Sequence, residues 1–204
     1  MPNFWDERFA GPIYKYGTEP NAFLREQAHR FAAAAQVLVP GDGEGRNGVW
    51  LAQQGHPVLS VDYSEVGLTK ARDLAAQRGS DTARRLTTQC ADLADWTPPP
   101  ATFDAVVLVF CHLPGALRQL AHPRLAQALK PGGWLILEAF HPEQLNYSSG
   151  GPKDADMLYT LADLRSDFAG LLDETLGWEG ETMLDEGPGH QGLGRVTRYL
   201  GRRR

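Results

Sequence analysis

Cysteine is scarce, at 2 of 204 residues. Cys90 and Cys111 stand apart in apolar surroundings, which argues against a disulfide-stapled fold and reads as two reduced, buried thiols of a cytoplasmic protein. No Cys/His cluster has the spacing of a zinc site, so no metal is expected. Long apolar runs are missing. No window approaches the ~18 residues that a membrane span needs. The start, "MPNFWDERFAG", carries Asp6 and Glu7 where a signal peptide would be apolar. Positive charge is not in excess either: 20 Lys and Arg against 25 Asp and Glu give a net charge of −5. That gives no general attraction to nucleic acid or to an anionic membrane. The basic "GRRR" at 201–204 reads as a solvated tail. Internal repeats are absent too. The remaining composition, 42% hydrophobic, is that of a globular chain with one well-filled core, so residues 1–204 read as a single domain.

From residue 21 to 141 the pattern alternates helix and strand. "NAFLREQAHRFA" (21–32) has helical apolar spacing with Asn21 as its cap. "QVLVP" is a short strand, and "RNGVWLAQQG" a helix closed by Gly55. "PVLSVD" (57–62) is a strand, and "SEVGLTKARDLAAQRG" (64–79) a helix between Ser64 and Gly79. A strand follows at 84–90, and the apolar "FDAVVLVFC" (103–111) suits a central strand covered on both faces. Residues 114–130 are helical in composition, with Pro123 expected to interrupt them. "PGGWLILEAF" (131–140) is a turn and another strand. Such alternation predicts a doubly wound α/β sheet, mostly parallel, with ligands at the carboxyl ends of the strands. After 150, "MLYTLADLRSDFAG" reads as one helix. Residues 171–184 and 194–202 read as two long strands around a glycine-rich loop, "DEGPGHQGLG".

The glycines after the first strand admit two readings. Gly43, Gly45 and Gly48 fit the dinucleotide spacing G-x-G-x-x-G, with Asp62 19 residues beyond Gly43. Gly41, Gly43 and Gly45 fit the G-x-G-x-G turn at which S-adenosylmethionine (SAM) binds. Charge separates them. A pyrophosphate would lie beside Asp42 and Glu44, and a like-charge pair at 4 Å costs roughly 4 kcal/mol at an effective dielectric of 20. SAM carries a sulfonium and an ammonium and no phosphate, so it tolerates those carboxylates. Asp62, with Tyr63 and Ser64 after it, ends the second strand where a carboxylate accepts ribose hydroxyls. Asp92 follows the third strand where it can accept the adenine amine, with Leu93 on the ring.

Gly41–Gly45, Asp62, Asp92, "FDAVVLVFCHLP" and "LKPGGWLILEAF", in this order, resemble class I SAM-dependent methyltransferases over roughly residues 35–141. The resemblance implies a seven-stranded sheet whose last two strands form a C-terminal antiparallel hairpin. It also implies SAM as cofactor and S-adenosylhomocysteine (SAH) as product. Lys130 and Pro131 would end a helix before the fifth strand. "FWDERFAGPIYKYGTEPNAFL" and "GEGRN" look like the small tellurite-resistance and thiopurine methyltransferase-like group, whose N-terminal segment folds over the cofactor. By that likeness Tyr16, Gly17, Pro20 and Asn21 line the pocket, with Gly41, Asp42, Gly43, Glu44, Gly45, Asn47 and Phe110. The chain would divide into a lid and helical segment (1–34), a cofactor core (35–141) and a C-terminal helix and hairpin (142–204). One departure stands out: Val39 occupies the position where the family often has an acid for the methionine amino group.

Methyl transfer is an in-line displacement that asks the protein for alignment and, with a weak nucleophile, a base. His190 in the glycine-rich loop and His112 after the fourth strand are the acid/base candidates. Cys111, His141, Tyr147 and Glu186 lie in neighbouring stretches, and Arg46 is a candidate partner for Glu44 or another carboxylate. With no basic face or nucleic-acid module, the expected partner is a small-molecule acceptor, and the protein a monomer or homodimer. Two alternatives stay open: a protein that binds SAM or SAH without turnover, and a nicotinamide-dependent oxidoreductase.

Overall fold

The computed structural model describes residues 3–204; Met1 and Pro2, the first residues of the acidic N-terminus, lie outside them. In chain order the elements are α1 (Phe4–Phe9), α2 (Ala22–Gln27), β1 (Val37–Pro40), α3 (Arg46–Gln53), β2 (Val58–Asp62), α4 (Glu65–Arg78), α5 (Ser80–Arg85), β3 (Leu86–Cys90), β4 (Phe103–Val109), α6 (Gly115–Gln127), β5 (Leu129–Phe140), α7 (Leu161–Asp167), β6 (Leu172–Glu186) and β7 (His190–Arg203). The strands form one seven-stranded sheet in the order β3-β2-β1-β4-β5-β7-β6. The first five are parallel, while β7 runs antiparallel to both β5 and β6. This is the doubly wound, mostly parallel sheet with a C-terminal hairpin that the sequence predicts.

Alternation along the central strands divides the core. Leu38, Val106, Leu108, Leu135 and Leu137 face Leu125, Tyr159 and Phe168 on one side. Val37, Val39, Val107, Val109 and Ile136 face Phe23, Leu24 and Leu51 on the other. Covered on both faces, these strands need apolar residues at every position, so their sequences read as continuous runs. The order reverses between β1 and β4, and the carboxyl ends there open toward one edge, where α/β sheets bind ligands.

Several local expectations are corrected. The helix foreseen at 21–32 stops at Gln27 and continues as a short 3-10 turn. Residues 84–85, foreseen as the start of the third strand, end α5 instead, a helix that begins after Gly79, at φ +125°, breaks the chain away from α4. Pro123 does not interrupt α6. Packing of the flanking Ala121, His122, Leu125 and Ala126 offsets the cost of about 3 kcal/mol of an interior proline. Lys130 and Pro131 lie inside β5, whose Leu129 already pairs with Phe103. The helix read at 157–170 shortens to α7, capped by a reciprocal Thr160–Asp163 box. Cys90 is exposed rather than buried, and both cysteines are free. Residues 201–203 of the "GRRR" tail lie in β7: Gly201 is buried and Arg203 donates to Leu171 O, while Arg204 beyond the strand pairs with Asp173.

The glycine-rich "loop" is a tight hairpin turn. Pairing runs on from Met183↔Leu193 to Glu186↔His190, leaving Gly187–Gly189 as the turn. Gly194 pairs with Thr182 in this ladder, where a Cβ would press on Leu184 and Ser149.

Candidate functional site

The floor is made by backbone. Gly41, Gly43 and Gly45 all have positive φ (+66°, +56° and +87°), a region glycine enters without steric cost. They serve different neighbours. A Cβ on Gly45 would stand 2.4 Å from Ala71 Cβ, so this glycine is fixed by the contact of α3 with α4 and does not face the cavity. A Cβ on Gly48 would meet an Asp42 oxygen at 2.3 Å. Packing thus accounts for two glycines of the apparent dinucleotide pattern.

The two loop carboxylates are committed to protein donors. Asp42 accepts from Ser60 Oγ (2.7 Å) and Gly48 N (3.2 Å), and burial raises its pKa to about 6. Glu44 accepts from Lys15 N (2.6 Å) and pairs with Lys70. The expected repulsion of a pyrophosphate is therefore weaker than the sequence suggested. What still disfavours it is the lack of a free cation on the floor itself, although Arg8 and Lys153 also line the cavity. Among residues 41–47, 62–63, 91–93 and 109–111 the one cation is Arg46, and it is paired with Glu186 at 2.6 Å.

Above this floor lies a cavity of about 800 Å³. The structure brings to its wall Gly41, Asp42, Gly43, Glu44 and Asn47 from the first turn, and Asp62 and Tyr63 from the end of β2. Asp92, Leu93 and Phe110 join them from the ends of β3 and β4, and Tyr16 and Gly17 from the N-terminal segment. Gly45 and Ser64 are left out. Ser64 is fully buried, caps α4 through Gly67 N and donates to Asp6. Asp62 accepts from Gly43 N (2.7 Å) and Ser64 N (2.9 Å), one bond per oxygen. A carboxylate has about four lone-pair sites, so two remain for a ligand. Asp92 is exposed and closes an Asx turn onto Ala94 N. Phe110 has φ +51°, an uncommon conformation for a large residue and one found at functional sites.

The roof comes from both ends of the chain. Phe9, which the sequence reading did not single out, is 3% exposed and rests over Gly43 and Gly67. Lys70 Nζ donates to the carbonyls of Gly11 and Ile13 (both 2.9 Å), tying this stretch to α4. The hairpin turn grips the segment from the other side. Gly189 N donates to Lys15 O (2.8 Å), and a Cβ on Gly187 would lie 2.2 Å from Gly17 N. Asn21 does not line the cavity. Its backbone N–H donates to Asn47 Oδ1 and its side-chain amide to Glu186 Oε1. Pro20 is buried beside it, also off the cavity wall.

Both candidate histidines line the cavity, and they differ in freedom. His112 is spent: Nδ1 donates to Met157 O (2.6 Å), and Nε2 accepts from Phe140 N (3.3 Å). Burial pushes its pKa down to about 4. His190 is 5% exposed and ringed by Tyr16, Phe110 and Phe140, with centroids at 4.5, 4.6 and 5.0 Å. Its Nδ1 is sealed in, 3.8 Å from Glu186 Oε2, which leaves Nε2 as the nitrogen toward the cavity. Burial lowers its pKa, so the imidazole is neutral near pH 7. For Glu186 burial alone would act upward, but His190 and Arg46 bring it down to about 2.

Other residues are elsewhere or inert. Cys111 packs against Gly41, and burial raises its thiol to about 12. His141 accepts from Glu143 N, and Tyr147 bonds Glu181; neither reaches the cavity wall. Arg46 pairs with Glu186 rather than Glu44, a partner 140 residues away that no local pattern signals. Among the described residues no group of His, Cys, Asp or Glu could hold a metal, and no helix is long and apolar enough to cross a membrane.

Comparison with known proteins adds three findings. Residues 37–133 match the family model described as a methyltransferase domain. The chain is similar to the 2-heptyl-1-hydroxyquinolin-4(1H)-one methyltransferase of Mycobacteroides abscessus (26% identity, 70% of this chain and 62% of the relative). It is also similar to the tRNA 5-carboxymethoxyuridine methyltransferase of Escherichia coli (30% identity, 70% of this chain and 58% of the relative). The match thus spans about three-fifths of each curated relative. Among solved structures, a TehB-like SAM-dependent methyltransferase from Corynebacterium glutamicum shares the fold. Its TM-score is 0.62 at 19% identity, covering 98% of this chain and 94% of that one.

Proposed function

We propose that this chain is a class I SAM-dependent methyltransferase, and that it methylates a small organic acceptor held between the glycine floor and His190. The observation that carries the reading is one cavity walled both by the glycine floor with Asp62 and by the buried ring of His190, whose Nδ1 is sealed beside Glu186. The residues suit the cofactor. Gly41 and Gly43 line the cavity, their missing Cβ atoms making room for Cys111 and Phe9, and Asp62 keeps two lone pairs for ribose hydroxyls. Asp92 and Leu93 stand at the end of β3 for the adenine. When bound, SAM supplies the electrophilic methyl group and the thioether leaving group.

The chain's own work is alignment and proton handling. Tyr16, Phe110 and His190 form an aromatic wall that excludes water and seats an apolar acceptor. His190 Nε2 takes the proton of the acceptor's hydroxyl, thiol or amine, and Glu186 offsets the positive charge that forms. His112, with both nitrogens bonded, holds the β4 turn to Met157 and Phe140 and accepts no proton. Residues 3–34 act as the lid and helical start, 35–141 as the cofactor core and 142–204 as the closing hairpin unit. The free cysteines suit the cytoplasm, and the enzyme works as a monomer or homodimer.

The Escherichia coli relative keeps a tRNA acceptor in view. The net charge of −5 weighs against it, because nucleic-acid affinity is built on phosphate contacts with Lys and Arg. Calorimetry with SAM, SAH and NAD, followed by transfer of labelled methyl to a small-molecule panel and to bulk tRNA, tests the reading. Binding of both adenosyl compounds and methylation of a small acceptor are expected. NAD binding alone, or labelling of tRNA alone, would overturn it. Binding without any transfer would favour a non-catalytic SAM or SAH carrier.

A further inference from the structure

Glu186 joins parts of the chain that are far apart in sequence. Its Oε1 accepts from Asn21 Nδ2 (2.8 Å) and its Oε2 from Arg46 Nη2 (2.6 Å), and that same Oε2 lies 3.8 Å from His190 Nδ1. Asn21 is 1% exposed and held on three counts. Its N–H donates to Asn47 Oδ1 (2.9 Å), its Oδ1 caps α2 through Leu24 N (2.9 Å), and its amide has Glu186. A buried carboxylate needs several donors to stay charged and in place. Here one of them comes from the N-terminal segment.

We infer that this segment is a working part of the active site as well as its cover: Asn21 is a positioning residue that fixes the Glu186 carboxylate behind His190. The inference rests on the reading of His190 as the base. The groups that set the state of His190 are few. Glu186 faces it from β6, Arg46 from α3, Arg8 from α1 and His112 from the turn after β4. Tyr16, Phe110 and Phe140 supply uncharged ring faces, and Glu138 on β5 acts on Glu186 in turn. A lost donor at Glu186 Oε1 leaves more of the carboxylate's charge to His190. An added carboxylate at position 21 goes further in the same direction, and a neutral amide at position 186 goes the opposite way.

The test is an NMR titration of the histidine ring protons in the ligand-free protein, which needs no acceptor. N21S keeps an oxygen for the α2 cap, where serine is a good N-cap residue, and deletes the amide donor. N21D keeps the cap and adds charge. E186Q removes it. The titration midpoint of His190 is expected to fall in the order N21D, N21S, wild type, E186Q from highest to lowest. The extremes should differ by about one pH unit, with His56 unmoved as internal control. Should N21D fail to fold, N21S against wild type decides. If N21S leaves the His190 midpoint unchanged while E186Q moves it, Asn21 is a helix cap only. If E186Q does not move it either, Glu186 does not stand behind His190. Calorimetry with SAH, run separately on the same proteins, reports on the cofactor site, so a failure of that reading is distinguishable from a failure of this coupling.

Discussion

The floor and the roof of the cavity are built by different physics. The floor, residues 41–63, is backbone laid over backbone. Its glycines sit in positive-φ turns, and Asp42 and Asp62 are tied to N–H and hydroxyl donors within about twenty residues, while Glu44 reaches Lys15 and Lys70. The roof has backbone ties as well, such as Gly189 N to Lys15 O, but behind His190 it is fixed by side chains, a buried ion pair across 140 residues and an amide–carboxylate bond across 165. A floor of local bonds survives the loss of one side chain. A roof of buried charge does not, because removing one partner strands the other without water. On the proposed function, binding falls to the floor and the position of the base to the roof.

That contrast can be broken by experiment. The largest effect is expected from Glu186→Ala, which strands Arg46 and the Asn21 amide. About 3–5 kcal/mol of stability should be lost in denaturant unfolding; a loss below about 1 kcal/mol would mean that the roof is not held by this pair. Next comes the junction at His112. Its pKa of about 4 in the folded protein lies below the ordinary 6.5, so the unfolded chain takes up the proton first as the pH falls. The stability it contributes is fully present above pH 6.5 and is lost between 6.5 and 4, about 3 kcal/mol in all. H112N should lack this part of the slope, and equal slopes would show that His112 is not buried as a neutral ring. Third, H190A is expected to lower kcat about a hundredfold or more while SAH affinity stays within about threefold. A parallel loss of SAH affinity would move His190 from the base to the binding site. Smallest in free energy is Asp62→Ala, which should weaken SAM binding at least about tenfold, or ~1.4 kcal/mol. An unchanged affinity would remove Asp62 from the ribose site.

The same contrast explains what could be read in advance. Asp62 after "VLSVD" and the glycines after "QVLVP" are positioned by the strand they follow, and a strand announces itself by a run of apolar residues. The topology followed from alternation. The fate of the side chains did not. Asp42 and Glu44 looked like free loop charges, and both are bound to donors that the sequence does not mark. Gly192 looked like loop because glycine is enriched in turns, yet it lies in the ladder of the hairpin. His190 is the sharper acid/base candidate in sequence because a glycine-rich loop could carry it over the cleft, yet it sits in the hairpin ladder, and its neighbours are what separate it from the spent ring of His112.

By itself the sequence determined the α/β alternation, the sheet that results and the bare-backbone turn at its switch point. Those depend on apolar period and on glycine's lack of a side chain, both local properties. Which carboxylates keep free lone pairs, which histidine keeps a free nitrogen, and that Asn21, Arg46 and Glu186 meet were decided by tertiary structure. Desolvation and hydrogen bonding depend on distances through space, and chain separations of 140 and 165 residues give no sign of them.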